Sequence, residues 1–308
     1  MKQLYHVCIT CHSETLFRDE EDIRCITNLL ALVAFSCQIE IWVDALMATH
    51  LHLVVFGDPE RVVMFAGRLK MRIAKYHRGR HGGAGPLFDP ETFVLRLEGS
   101  NHILAAISYV LRNGMHHGVS ATPFGYTECS VNDLFCKDLG KTPARKQLVS
   151  HAEIAACLPR YAVFPDHYAM DINGMFLRST FEELHRVELF YRTPRSFLYQ
   201  MNRLSSEEWE QEQRRDEIPD APVTLSSMEP RANARTLSEW LSNEKGYNFR
   251  HDRKTDLQVC QLIDTACLPA FGKRSVYQLE DRQKRILADR LSREQHLPFA
   301  QLCRCLAL

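Results

Sequence analysis

Apolar and polar residues alternate from Tyr5 to Thr10, the period-two pattern of a half-buried strand. From Glu20 to Cys37 the period lengthens. Ile23, Ile26, Leu29, Leu30 and Val33 recur at helical spacing behind an acidic first turn, which complements a helix N-terminus. Two β-prone runs follow, Ile39 to Met47 and His50 to Phe56, separated by Ala48 and Thr49 as in a hairpin. Pro59 opens a helix to about His77, with Val62, Val63, Phe65, Ala66, Leu69 and Ile73 as its core face. The glycine-rich His81 to Pro86 is a loop, and Thr92 to Leu97 is a fourth strand. Ser100 or Asn101 caps a last helix, for which Gly114 is a suitable stop.

The first six of these elements read β-α-β-β-α-β. That order predicts an α+β fold: a ferredoxin-like split antiparallel sheet with helices on one face, the other face left to hold a site. The texture changes after Asp138. Residues 139–231 form a helical or irregular connection, with helices over Met175 to Leu189 and Ser205 to Arg215 and linker prolines at 219, 222 and 230. Residues 232–308 read as a small helical bundle that closes with Val276 to Arg293 and Pro298 to Leu306. That pair has the look of a partial helix-turn-helix, although packing or protein contact suits it equally well.

Composition adds little until it is resolved along the chain. Hydrophobic residues are 45% and charged residues 25% of the 308, as in an ordinary soluble protein. No apolar run is long enough to span a membrane. The N-terminal residues carry no signal-peptide core, and the 11 cysteines are odd in number and scattered. Both features predict a reduced, cytoplasmic protein. The net charge of zero is an average. Between Arg61 and Phe88 there is no acid, while Arg61, Arg68, Lys70, Arg72, Lys75, Arg78 and Arg80 are basic. The acids gather elsewhere, as in Glu207 to Glu212.

The sharpest local pattern is His50-Leu51-His52. In a strand these imidazoles share one face about 6.6–6.8 Å apart, close enough to converge on one divalent metal. A metallo-β-lactamase-like hydrolase would want Asp two residues later, where Val54 stands. On the helix that follows, Ile103, Leu104, Ile107, Val110 and Leu111 form an apolar stripe. Tyr109 falls nearly opposite it, with Asn113 four residues further on the same side. A phenol and an amide oxygen held together in this way can supply a nucleophile and a third ligand. Cys8-x-x-Cys11 has half of a zinc spacing but no second pair to complete it beyond Cys303-x-Cys305.

Taken together, these motifs resemble the single-tyrosine HUH transposases, and among them the REP-associated tyrosine transposases. The resemblance covers about Met1 to Asp138. It rests on the His-hydrophobic-His strand, the basic helix, Gly85-Pro86-Leu87-Phe88 and Tyr109-x-x-x-Asn113. Met115 to Val119 is similar to the segment that follows in that family. Two departures concern turns: Gly114 stands where the family has Pro, and Met47-Ala48-Thr49 replaces its Met-Pro-Asn/Asp. The resemblance implies that His50, His52 and Asn113 hold Mg²⁺ or Mn²⁺ and that Tyr109 is the nucleophile. It implies a single-stranded DNA endonuclease and strand transferase acting through a 5′-phosphotyrosine, with hairpin-forming DNA as partner and a homodimer left open. The basic residues from Arg61 to Arg80 would contact the DNA backbone, and Tyr76 and His77 would stack on bases. The competing expectation is a domesticated protein that binds DNA hairpins without cutting them.

Overall fold

A computed structural model describes residues 1–12, 14–141, 149–202 and 254–308. The expected helix Ser205 to Arg215, the acidic run within it, the linker prolines and the start of the C-terminal bundle lie outside the described residues. The elements through residue 111 follow the expected order: β1 (Gln3–Thr10), α1 (Glu20–Cys37), β2 (Glu40–Leu46), β3 (His50–Gly57), α2 (Pro59–His81), β4 (Phe93–Arg96) and α3 (Ser100–Leu111). The strands form one antiparallel sheet in the order β2-β3-β1-β4, with Cys8 opposite His52 and His6 opposite Val54. The side chain of Asp19 caps α1 by accepting from the Asp22 N–H, and Gln38 ends it in a left-handed turn.

Strand alternation divides the molecule into two apolar layers. Val7, Ile9, Leu51, Leu53 and Val55 pack against α1 and α2, where Ile26, Leu30, Phe65 and Leu69 are buried with them. On the opposite face Leu4, Val54 and Ala45 pack against α3. Helices therefore cover both faces, and the face expected to stay open is closed. The α3 helix closes that face, and two later helices, α7 (Leu184–Tyr191) and α8 (Pro194–Asn202), bring Val187, Tyr191 and Phe197 against the outer side of α3. Every residue from Ala105 to Leu111 is buried as a result. Val63, expected in the core, is 63% exposed, because the inward stripe of α2 is narrower than its apolar content suggests.

Other boundaries differ for local reasons. The α3 helix stops at Leu111, and α4 (Asn113–His116) follows it after Arg112. Gly114 is buried inside α4 and is not left-handed, so it is not the stop expected of it. A short α5 (His151–Cys157) carries a Ser150/Glu153 capping box. The expected helix over Met175 to Leu189 is two pieces, α6 (Arg178–Phe181) and α7, split by extended Glu182. There the backbone runs along the outer edge of β2, where the Glu183 N–H donates to Ile41 O at 2.8 Å.

The C-terminal helices α9 (Asp256–Leu262), α10 (Asp281–Gln295) and α11 (Phe299–Leu306) enclose their own apolar cluster around Leu268, Leu287 and Leu302. The α10 helix begins at Asp281 rather than Val276, because Glu280 caps it. This bundle is fastened to the sheet unit through buried Arg18. Its Nε and Nη2 donate to Asp264 at 2.8 Å each, and its Nη1 donates to Cys305 O at 2.8 Å. All 11 cysteines are free thiols, and no described helix is long and apolar enough to cross a membrane.

Candidate active site

Because β3 presents alternate residues to α3, His50 and His52 meet on one face with ring centroids 4.7 Å apart, nearly perpendicular. Tyr109 lies 5.2 Å from His52, edge to face, and Asn113 Oδ1 is 3.4 Å from His50 Nε2. The four residues singled out in the sequence thus come together from β3, α3 and α4. They are also enclosed: His52, Tyr109 and Asn113 are fully buried and His50 is 8% exposed. Tyr109, expected on the outward side of its helix, is part of the second core.

The donor set suits a divalent ion. Two ligands at about 2.0–2.2 Å from one ion, at tetrahedral or octahedral angles, stand about 2.8–3.6 Å apart. The 3.4 Å between His50 Nε2 and Asn113 Oδ1 falls in that range. Each imidazole is also oriented by its other nitrogen, as metal-ligating histidines are. Thr49 Oγ1 is 3.0 Å from His50 Nδ1, and His6 Nε2 is 3.1 Å from His52 Nδ1. Among the described residues no three His, Cys, Asp or Glu side chains form a metal-binding group; the third oxygen or nitrogen donor beside the two imidazoles is the amide of Asn113. The Nδ2 of that amide is buried without a hydrogen-bond partner among the described residues.

Several residues of the site were not singled out in the sequence. His6 stacks on His52 at 5.2 Å and lies 5.8 Å from Tyr109. Its signal was present: a polar residue on the inward side of a strand between Leu4 and Cys8. His117 lies 4.9 Å from His50, and His116 stacks on Tyr109 at 6.3 Å. Burial, with Arg112 and His117 nearby, pushes the His116 imidazole well below its ordinary range and keeps it neutral. Arg112 is itself buried and donates to Gln200 O at 3.3 Å.

The basic residues of α2 are not brought to this site, since α2 packs on the other face of the sheet. Most of them are engaged in holding the fold. Arg78 forms a bidentate pair with Glu14 at 2.7 and 2.6 Å, and Arg80 bonds Asp19 and Asp22. Tyr76 donates to Asp22 at 3.0 Å rather than presenting a face for a base, and His77 is fully buried. Lys70 donates to the carbonyls of Asp89 and Pro90, and Arg61 contacts Gln38 and Asp58. Arg68 is exposed but reaches Cys37 Sγ at 3.9 Å. Of the seven basic residues, only Arg72 and Lys75 have no ion pair or hydrogen bond among the described residues.

No protein-family model matches the chain, and no curated protein matches it. Solved structures similar to part of it include a REP-associated tyrosine transposase bound to a REP hairpin, at 12% identity and a TM-score of 0.35. That match covers 46% of this chain and 82% of the other. A Deinococcus radiodurans R1 protein named as a transposase is similar at 22% identity and a TM-score of 0.28, over 37% of this chain and 91% of that one. At these values the likeness carries no argument about activity. The chemistry rests on the side chains.

Proposed function

We propose that the chain is a metal-dependent single-stranded DNA endonuclease and strand transferase, transposase-like, acting on hairpin-forming DNA through a 5′-phosphotyrosine. The reading also takes the four-stranded unit to be a ferredoxin-like split frame. The observation that carries it is the convergence of Tyr109, His50, His52 and Asn113 within ring and hydrogen-bond distance on one face of the sheet. Mg²⁺ or Mn²⁺ held by His50 Nε2, His52 Nε2 and Asn113 Oδ1 would stabilise the growing charge on the phosphate oxygens.

The tyrosine performs the exchange. Tyr109 Oη forms the new P–O bond while the bond from phosphorus to the 3′ oxygen breaks. The phenolic proton is released, the 3′ oxygen gains one, and the 5′ phosphate stays on the tyrosine. One phosphate ester replaces another, so a 3′-OH can reverse the step and join strands without a nucleotide cofactor. The Thr49 hydroxyl and the His6 ring hold His50 and His52 in the tautomers that ligation needs. Arg72 and Lys75, on the far side of the sheet, are left for backbone contacts with a duplex stem, a sequence-independent term.

The second reading is a DNA-hairpin-binding protein that does not cut. The complete burial of Tyr109 favours it, because the phenol has to reach a phosphate. The presence of all four groups favours the enzyme. Titration with Mn²⁺ followed by incubation with end-labelled hairpin DNA separates the two. One bound ion in the wild type, lost in His50→Ala together with strand cleavage, is the expected result. Hairpin binding with no ion and no cleavage would establish the second reading instead.

A further inference from the structure

Beside the four-residue site lies a cleft of about 440 Å³, within the size range of small-molecule pockets. One wall comes from the sheet unit and includes Thr49, His50, His117 and Tyr126. The other comes from the C-terminal bundle, with Lys254, Leu257, Gln301 and Arg304. His50 belongs both to this cleft and to the proposed ligand set, so whatever fills the cleft lies next to the phosphate that the ligand set would hold.

The lining describes the occupant. Its fixed charges cancel, Lys254 and Arg304 against Asp256 and Glu128, and Arg304 is already bonded to Asp256 at 3.1 Å. A second phosphate gains little in such a place, whereas a neutral planar group with hydrogen-bonding edges fits the mixture of Tyr126, Leu257, Thr127 and Thr255. Gln301 supplies an independent sign of a ligand. Its side chain is only 2% exposed, and its Nε2 is fixed by the Lys254 carbonyl at 2.9 Å and Asp256 Oδ1 at 2.8 Å. Its Oε1 is buried with no donor among the described residues. A buried acceptor without a donor is costly, and an N–H group brought by a ligand would satisfy it.

We propose that this cleft is a nucleobase subsite: it takes the base of the single-stranded nucleotide flanking the scissile phosphate, packed by Tyr126 and Leu257 and offering an N–H edge to Gln301. The C-terminal bundle is then half of the substrate-binding surface. This inference rests on reading His50, His52, Asn113 and Tyr109 as a DNA-cleaving site.

The test is photocrosslinking of the full chain to hairpin oligodeoxynucleotides whose single-stranded flanks carry 5-iododeoxyuridine at successive positions, with peptide mapping. The label next to the phosphate captured on Tyr109 should attach to Tyr126 or to residues 254–257. Thr127 is exposed at the rim of the cleft, so Thr127→Trp fills the opening without disturbing the core. It should lower both the crosslink and DNA affinity about tenfold, a typical loss for one stacked base, while Mn²⁺ binding is unchanged. Gln301→Met, which keeps the volume and removes the acceptor, should lower the same crosslink. An adduct on Tyr109 with crosslinks only outside the cleft, or a crosslink indifferent to Thr127→Trp, overturns the subsite and leaves the nuclease standing. Crosslinks in the cleft with no adduct on Tyr109 overturn the nuclease and leave the subsite standing.

Discussion

Gly114→Ala probes the floor of the site. A Cβ at this position would lie 2.5 Å from both Cβ and Cγ of Tyr126 and 2.9 Å from its Cδ1. Ordinary van der Waals separation begins at 3.4 Å, so the ring or the helix must move by nearly an ångström. The ring is not free to do so, because its hydroxyl donates to Leu46 O at 2.6 Å and it is 6% exposed. Overpacking of this kind costs about 1–3 kcal/mol. Alanine recovers about 0.5–1 kcal/mol of backbone entropy relative to glycine in a helix. The clash is larger, which leaves a net loss of about 1–2 kcal/mol, or about 2–8 °C in melting temperature. Thermal melts followed by circular dichroism, with urea midpoints alongside, measure it. Because Asn113 is the neighbouring residue, Mn²⁺ affinity should fall as well. Adding Tyr126→Gly removes all three clashing atoms, so the double variant should lose less than the sum of the two singles. A melting temperature that stays constant or rises in Gly114→Ala would refute the packing argument.

Three further outcomes are expected. Burial, aided by neighbouring His81, pulls the His77 imidazole down to about 4. The unfolded chain binds this proton near pH 6.5 and the folded chain refuses it until about pH 4, so stability falls as pH drops through that window, by up to about 3 kcal/mol. His77→Gln should flatten urea midpoints between those pH values, and an unchanged slope would exclude His77 as the cause. Arg80→Ala leaves fully buried Asp22 with the His81, Tyr76 and Arg18 N–H contacts but without its arginine, and should destabilise the fold by about 1–3 kcal/mol; a loss typical of a surface residue would contradict that role. Charge reversal at Arg72 and Lys75 should leave the melting temperature unchanged and reduce the salt slope of hairpin binding by about one for each phosphate no longer neutralised. Affinity that does not respond at any salt concentration would remove α2 from the DNA surface.

Much of this was legible in the sequence. The period of apolar residues marks β1 through α3, and the i, i+2 spacing alone places His50 and His52 on one face. What periodicity does not carry is the second layer. The outward side of α3 is a core surface only because α7 and α8, from residues 184–202, come to cover it. His6 is paired with His52 across 46 residues, a relation fixed by sheet register rather than by local pattern. The charge of α2 was equally visible, but the acids that consume it, Glu14, Asp19 and Asp22, come from the connection before α1 and from its first turn. The split of the expected Met175 to Leu189 helix likewise depends on an edge strand far away in sequence.

The central claim is that Tyr109 is a nucleophile toward DNA. Its most direct test is mass spectrometry of the full chain after incubation with a hairpin oligodeoxynucleotide and Mn²⁺, locating any covalent nucleotide. The wild type should carry a 5′-phosphate on Tyr109. Tyr109→Phe, which keeps the ring in its packing against His52 and His6, should fold and bind the hairpin yet form no adduct at any metal concentration. An adduct that persists in Tyr109→Phe, or one found on another residue of the wild type, would contradict the claim.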